Sequence, residues 1–201
     1  MPQSDHVFVA FEPAMALTAS TMLPLGTPAP SFSLVDTVSG KVLELQEVQG
    51  VQGTLLMFLC NHCPYVKHVN PELLRLARDY SARGLGIVAI SSNDARAYPQ
   101  DGPEHMRETA LQFGYSFPYL YDPTQAVARS YAAACTPDFF LFDANLRLAY
   151  RGRLDDSTPG NGRPLSGADL RAAIDALLTG RAPDAHQQPS LGCNIKWAAS
   201  V

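Results

Sequence analysis

The residues of this chain whose types and spacing could do chemistry are Cys60-Asn61-His62-Cys63. Disulfides are attacked by thiolates, and an unperturbed cysteine ionises only at about pH 8.5, so something must favour the anion. The apolar run Thr54 to Leu59 ends at Cys60, and a helical pattern follows. Unpaired N–H groups and the positive end of a helix dipole are therefore expected to point at the Cys60 sulfur. Cys63 lies one turn further into that helix, placed to attack a mixed disulfide on Cys60. Cys60 is expected to attack and Cys63 to resolve, so that the pair cycles between dithiol and disulfide with no other cofactor. His62, when protonated, adds positive charge beside the thiolate and makes the disulfide more oxidising, towards the less negative half of the roughly −270 to −120 mV range of such dithiols. Asn61, Pro64 and Lys67 complete the supporting set, with Lys67 either adding to the field or simply solvated. A closed zinc site wants four ligands, and Cys135 and Cys193 stand alone in the sequence, so no metal is expected.

The elements that must position this motif alternate along the chain. Ser31 to Val35 and Lys41 to Leu45 read as two short strands around the turn Ser39-Gly40, an amino-terminal hairpin. Thr54 to Leu59 has the length and composition of a strand buried on both faces. Val66, Val69, Leu73, Leu76 and Tyr80 then recur at steps of three and four, one face of a helix closed by Gly84, with a kink expected at Pro71. Gly86 to Ser91 is a second buried strand, implying a parallel pair joined by a right-handed crossover. After a polar loop come a helix over Glu104 to Phe113 and a strand over Tyr119 to Tyr121. A helix capped by Asp122 and opened by Pro123 follows, leading to Tyr131. Phe139 to Phe142 and Leu146 to Tyr150 form a tight hairpin, and Ser166 caps a last helix carrying Leu170, Ala173, Ile174, Leu177 and Leu178.

With 201 residues, 46% of them hydrophobic and 17% charged, the chain can build a core without disulfide staples. A net charge of −4 with interspersed signs offers no basic stripe for nucleic acid and no polybasic membrane anchor. The amino-terminus lacks a basic start, its apolar stretch breaks at Glu12 and Pro13, and no run reaches the roughly 20 apolar residues of a membrane span. A cytoplasmic location is expected, where a close cysteine pair is catalytic or metal-binding rather than structural.

Several segments resemble the peroxiredoxin-like branch of the thioredoxin-like superfamily, relatives of alkyl hydroperoxide reductase and thiol-specific antioxidant proteins. They are Gly26 to Phe32, Cys60 to Lys67, Ala134 to Asp143 and Gly192 to Trp197. The resemblance implies an α/β thioredoxin-like fold, a central mixed sheet flanked by helices, with an antioxidant or redox-homeostasis role. It divides the chain into an extension at 1–22, a redoxin domain at 23–180 and a tail at 181–201. It also implies that Thr136-Pro137 is a cis-proline loop facing the dithiol and lining the substrate groove, and it admits Met15 as an alternative start.

Two departures redirect the expected chemistry. Peroxidases of this kind carry a threonine or serine three residues before the reactive cysteine and an arginine nearby. Here those places hold Cys60 or Met57, and Pro137. Exchange with a protein or small-molecule disulfide, recharged by a thiol donor, is therefore expected ahead of peroxide reduction. A carrier of copper or zinc using the cysteine pair and a histidine is the third reading. The buried acid that assists thioredoxins would fall near Thr54, which cannot ionise, leaving proton transfer to water or His62. Cys135 is either a third thiol or a small buried hydrophobe. Cys193 either resolves an oxidised partner or belongs to a tail packed through Ile195 and Trp197.

Overall fold

The computed structural model describes residues 17–199. The alternative start at Met15 and the residues before it lie outside the described residues. In chain order the strands and helices are β1 Leu17–Ala19, β2 Ser33–Asp36, β3 Val42–Glu44, α1 Leu45–Val48, β4 Gly53–Phe58, α2 Pro64–Tyr80, β5 Leu85–Ser91, α3 Pro103–Phe113 and β6 Tyr119–Tyr121. After them come α4 Ala126–Ser130, β7 Cys135–Thr136, β8 Asp138–Asp143, β9 Leu148–Gly152, α5 Ala168–Leu178 and β10 Leu191–Asn194.

Seven strands form one mixed sheet in the order β3-β2-β6-β5-β4-β8-β9, with β4, β5 and β6 parallel to one another and the remaining pairs antiparallel. Every residue of β4 is buried. Side chains alternate across a strand, so Leu55 and Met57 enter the core beneath α2, α3 and α5, while Leu56 and Phe58 enter the core beneath α1 and α4. This central mixed sheet flanked by helices is the expected fold.

Local chemistry moved several boundaries. Leu45 leaves the strand and opens a one-turn helix, because Glu44 and Glu47 form a reciprocal capping box. Asp122 does not begin α4. Its buried carboxylate instead accepts the Ser92 hydroxyl and the Ala128 N–H, and the helix starts only after Gln125, at φ 61°. Gly167 rather than Ser166 is the N-cap of α5, and the Asp155 carboxylate gathers the N–H groups of both. Pro71 lies inside α2, which runs unbroken from Pro64 to Tyr80.

The two ends of the described chain meet. β10 pairs antiparallel with β1 on one side and β7 on the other, a three-stranded sheet separate from the main one. The tail is thus a structural strand set against the strand before Pro137. Gly192 makes this approach possible, since a Cβ there would sit 2.1 Å from the Thr136 carbonyl oxygen.

Candidate functional site

The dithiol occupies the connection from β4 to α2, but the helix begins later than the sequence reading had it. Pro64 takes the first helical position and Cys63 is the N-cap, with Cys60 three residues upstream of it. Proline at the first helical position was the signal that could have fixed this register. The first-turn amides therefore serve Cys63 rather than Cys60. The Cys63 sulfur accepts hydrogen bonds from the thiols of Cys193 and Cys60 and from the backbone N–H groups of Val66 and Cys193, which together hold its ionisation far below the ordinary thiol value. Cys60 is held well above that value by the hydrogen bond it gives to Cys63, by burial and by the Asp101 carboxylate.

Thr136 touches both sulfurs and favours the opposite arrangement. Its Oγ1 lies 3.2 Å from Cys60 Sγ, and its carbonyl oxygen accepts from Cys63 Sγ at 3.2 Å. A thiolate on Cys60 with a thiol on Cys63 satisfies Thr136, whereas a thiolate on Cys63 satisfies the donors from α2 and Cys193. Hydrogen bonds to a charged group contribute about 1.5–3 kcal/mol each, and the donors on Cys63 are more numerous, so the resting charge sits there. A single proton shift between the two sulfurs moves it to Cys60, and the pair titrates as a unit. Thr136-Pro137 is a cis peptide, as the resemblance implied.

Both cysteines are buried, Cys60 at 2% and Cys63 at 0% exposure, but Cys60 lines a groove of about 170 Å³ with Val66, Lys67, Pro71, Phe113 and Tyr115. A second groove of about 220 Å³ is lined by Pro137 together with Tyr65, His68 and Phe139. Lys67 is exposed at the first groove, and Pro64 is exposed at the helix start.

A buried acid is present after all, supplied by a segment that carried no marker. Asp101 ends the single-turn 3-10 helix Pro99–Asp101 and is fully buried. Its carboxylate accepts the Asn61 N–H at 2.8 Å and the Asn93 side-chain amide at 2.8 Å, and it lies 2.6 Å from His62 Nδ1. His62 is thus turned to Asp101 and stacked on Tyr98. One ligand atom from each of Cys60, His62 and Asp101 falls within 4.8 Å of the others. Asn61 is held between Gln100 and the Tyr119 hydroxyl. Thr54, where thioredoxins would place their acid, accepts the Gly50 N–H instead.

The remaining cysteines part company by strand parity. Cys193 lies directly across from Thr136 and shares its face, which looks at the dithiol, and it packs in one core cluster with Cys60 and Cys63. Cys135 lies across from Asn194 on the opposite face, its sulfur towards the Pro137 carbonyl at 3.5 Å. Burial and the Asp138 carboxylate push its thiol up. Of the two candidate third thiols, Cys193 is the one brought to the pair.

Known proteins are similar to this chain in sequence and fold. An uncharacterised conserved protein from Geobacillus kaustophilus is 54% identical, with 93% of this chain and 99% of that one covered and a TM-score of 0.91. A hypothetical protein from Sinorhizobium meliloti 1021 is 47% identical over 91% of this chain and 100% of that one, with a TM-score of 0.89. The thiol-disulfide oxidoreductase ResA of Geobacillus thermodenitrificans is 27% identical over 128 residues, 64% of this chain and 68% of that protein. The sequence pattern of the AhpC/TSA family matches residues 25–151, the stretch that holds the dithiol, Asp101 and the cis-proline: the chain belongs to the AhpC/TSA family.

Proposed function

We propose that this protein is a thiol-disulfide oxidoreductase working through Cys60 and Cys63. The observation that carries the reading is a groove-lining Cys60 hydrogen-bonded to a buried Cys63 at a helix N-cap. The ResA relative supports the same reaction class. Cys60 passes its proton to Cys63 and attacks a substrate disulfide; the Cys60–substrate bond forms and one substrate sulfur leaves, taking a proton. Cys63 then attacks the Cys60 sulfur, the second substrate thiol departs, and the protein is left as the disulfide. A thiol donor returns it to the dithiol.

Thr136 steadies the Cys60 thiolate through Oγ1 and takes the Cys63 proton on its carbonyl, so both sulfurs are matched at the moment of attack. The substrates are disulfides of proteins or small molecules that fit the groove lined by Cys60 and the one lined by Pro137. The proposal includes an antioxidant role in the cytoplasm, no nucleic-acid or membrane partner and no cofactor beyond the cysteines. Among the described residues no helix is long and apolar enough to cross a membrane.

Stopped-flow mixing of reduced protein with oxidised glutathione and, separately, with hydrogen peroxide tests the reading. Exchange is expected to outrun peroxide oxidation, Cys60→Ser to lose exchange, and Cys63→Ser to trap glutathione on Cys60. Peroxide oxidation as fast as exchange would return the assignment to a peroxidase. Stoichiometric copper or zinc in protein purified without chelator would favour a metal carrier, for which Cys60, His62 and Asp101 are the clustered donors.

A further inference from the structure

The tail brings a third sulfur into the site. Cys193 gives a hydrogen bond from its thiol to Cys63 and a second from its backbone N–H to the same sulfur. Its own sulfur accepts the N–H of Tyr65, while Cys63 accepts the N–H of Val66. Two sulfurs, 130 positions apart in the sequence, therefore sit side by side over the first turn of α2. They are fixed there by the pairing of Cys193 with Thr136 and by the close seat of Gly192 on the Thr136 carbonyl.

We infer that Cys193 is a second resolving thiol, which takes the disulfide inward from Cys60–Cys63 to Cys63–Cys193. This rests on the exchange reading given above. The Cys193 sulfur attacks Cys63, the Cys63–Cys193 bond forms as the Cys60–Cys63 bond breaks, and the Cys193 proton passes to the departing Cys60 sulfur. Oxidation state is unchanged, so the step needs no co-reactant. Its hydrogen bond to Cys63 and its burial keep Cys193 protonated in the reduced protein; in the step it attacks as the thiolate, steadied by the Tyr65 N–H, while its proton goes to the departing Cys60 sulfur.

The consequence concerns direction. With the disulfide buried at Cys63–Cys193, the groove presents a Cys60 thiol rather than a disulfide. Thiols released from substrate then have no accessible disulfide to attack, and the forward exchange is protected from reversal. A reductant reaches the stored oxidation only through the fraction returned to Cys60–Cys63.

The test is disulfide mapping of the full chain, oxidised with one equivalent of oxidised glutathione, quenched in acid, alkylated and digested. Oxidised wild type is expected to yield both Cys60–Cys63 and Cys63–Cys193 linked peptides, with a corresponding loss of alkylated Cys193. Cys60→Ser, which lacks the attacking thiol, is expected to take up no disulfide from oxidised glutathione, and Cys63→Ser to leave Cys193 fully alkylated. Oxidised wild type that keeps Cys193 fully alkylated overturns the proposal, whatever the variants do, and this arm needs no variant to fold. Oxidised wild type that carries Cys63–Cys193 but never Cys60–Cys63 would instead break the exchange reading and leave the inner pair standing.

Discussion

Cys193 and Cys135 flank Thr136 in the small sheet, one across from it and one beside it, and their surroundings are chemically opposite. Cys193 faces the N-terminus of α2, where amides and neighbouring thiols share one negative charge with it. Cys135 faces Asp138 and Arg151, a fully buried ion pair at 3.1 Å. Burial pushes Asp138 up to about 6 and lowers Arg151, so both groups are driven towards neutrality. A thiolate on that side would add an anion beside a carboxylate that is already poorly solvated. One residue of strand parity thus decides which thiol can take part in exchange, and residue type decides nothing.

The largest expected effect comes from prying the two strands apart. Gly192→Ala must push β10 off the Thr136 carbonyl, so we expect a stability loss of about 1–3 kcal/mol or more by urea unfolding. With it should go the Cys63–Cys193 linkage in oxidised protein. Retention of that linkage at wild-type yield would show that the close approach does not seat Cys193.

Next in size is the charge on the far face. Asp138 has a folded value of about 6 against an ordinary 3.8, so its protonated form favours the fold. The contribution is fully present below the ordinary value and is lost as pH rises through about 6, of the order of 3 kcal/mol by linkage. Asp138 Oδ1 is buried without a hydrogen-bond partner, a place for that proton. Urea unfolding between pH 4 and about 7 should show a decline in wild type that Asp138→Asn removes. An equal decline in both would assign it elsewhere.

On the near face, Asp101→Asn removes a carboxylate that raises Cys60. The pH midpoint of Cys60 alkylation by iodoacetamide should move down, and a midpoint that moves up or stays would refute the electrostatic role given to Asp101. The smallest effect is expected for Cys135→Ala. Its exchange rate should stay within about twofold of wild type, at a folding cost of about 1 kcal/mol. A tenfold loss of rate would erase the distinction between the faces.

Much of this was legible in the chain because it is written locally. The apolar run over Thr54 to Leu59, the three-and-four spacing from Val66 to Tyr80 and the Phe139 to Phe142 hairpin each reflect one strand or helix burying its own face. The cysteine pair is likewise local. Asp101 was not legible, since an aspartate before Gly102-Pro103 is what an ordinary loop contains, and only the fold of β5 and its exit brings it under His62. The seat of Cys193 was not legible for a related reason. Its place follows from the register between β10 and β7, a pairing across more than fifty residues that no window of sequence records.

The strand that completes the site is also the last of the described strands along the chain. A nascent chain has β4, α2 and the cis-proline strand outside the ribosome before β10 exists, and domains fold as they emerge. Through that interval β7 has an unpaired edge and Cys63 lacks its inner neighbour. Oxidation during synthesis can therefore give only the Cys60–Cys63 bond among the three converging thiols. On the inner-disulfide proposal, the choice between two disulfides is a property the molecule acquires when β10 pairs with β1 and β7.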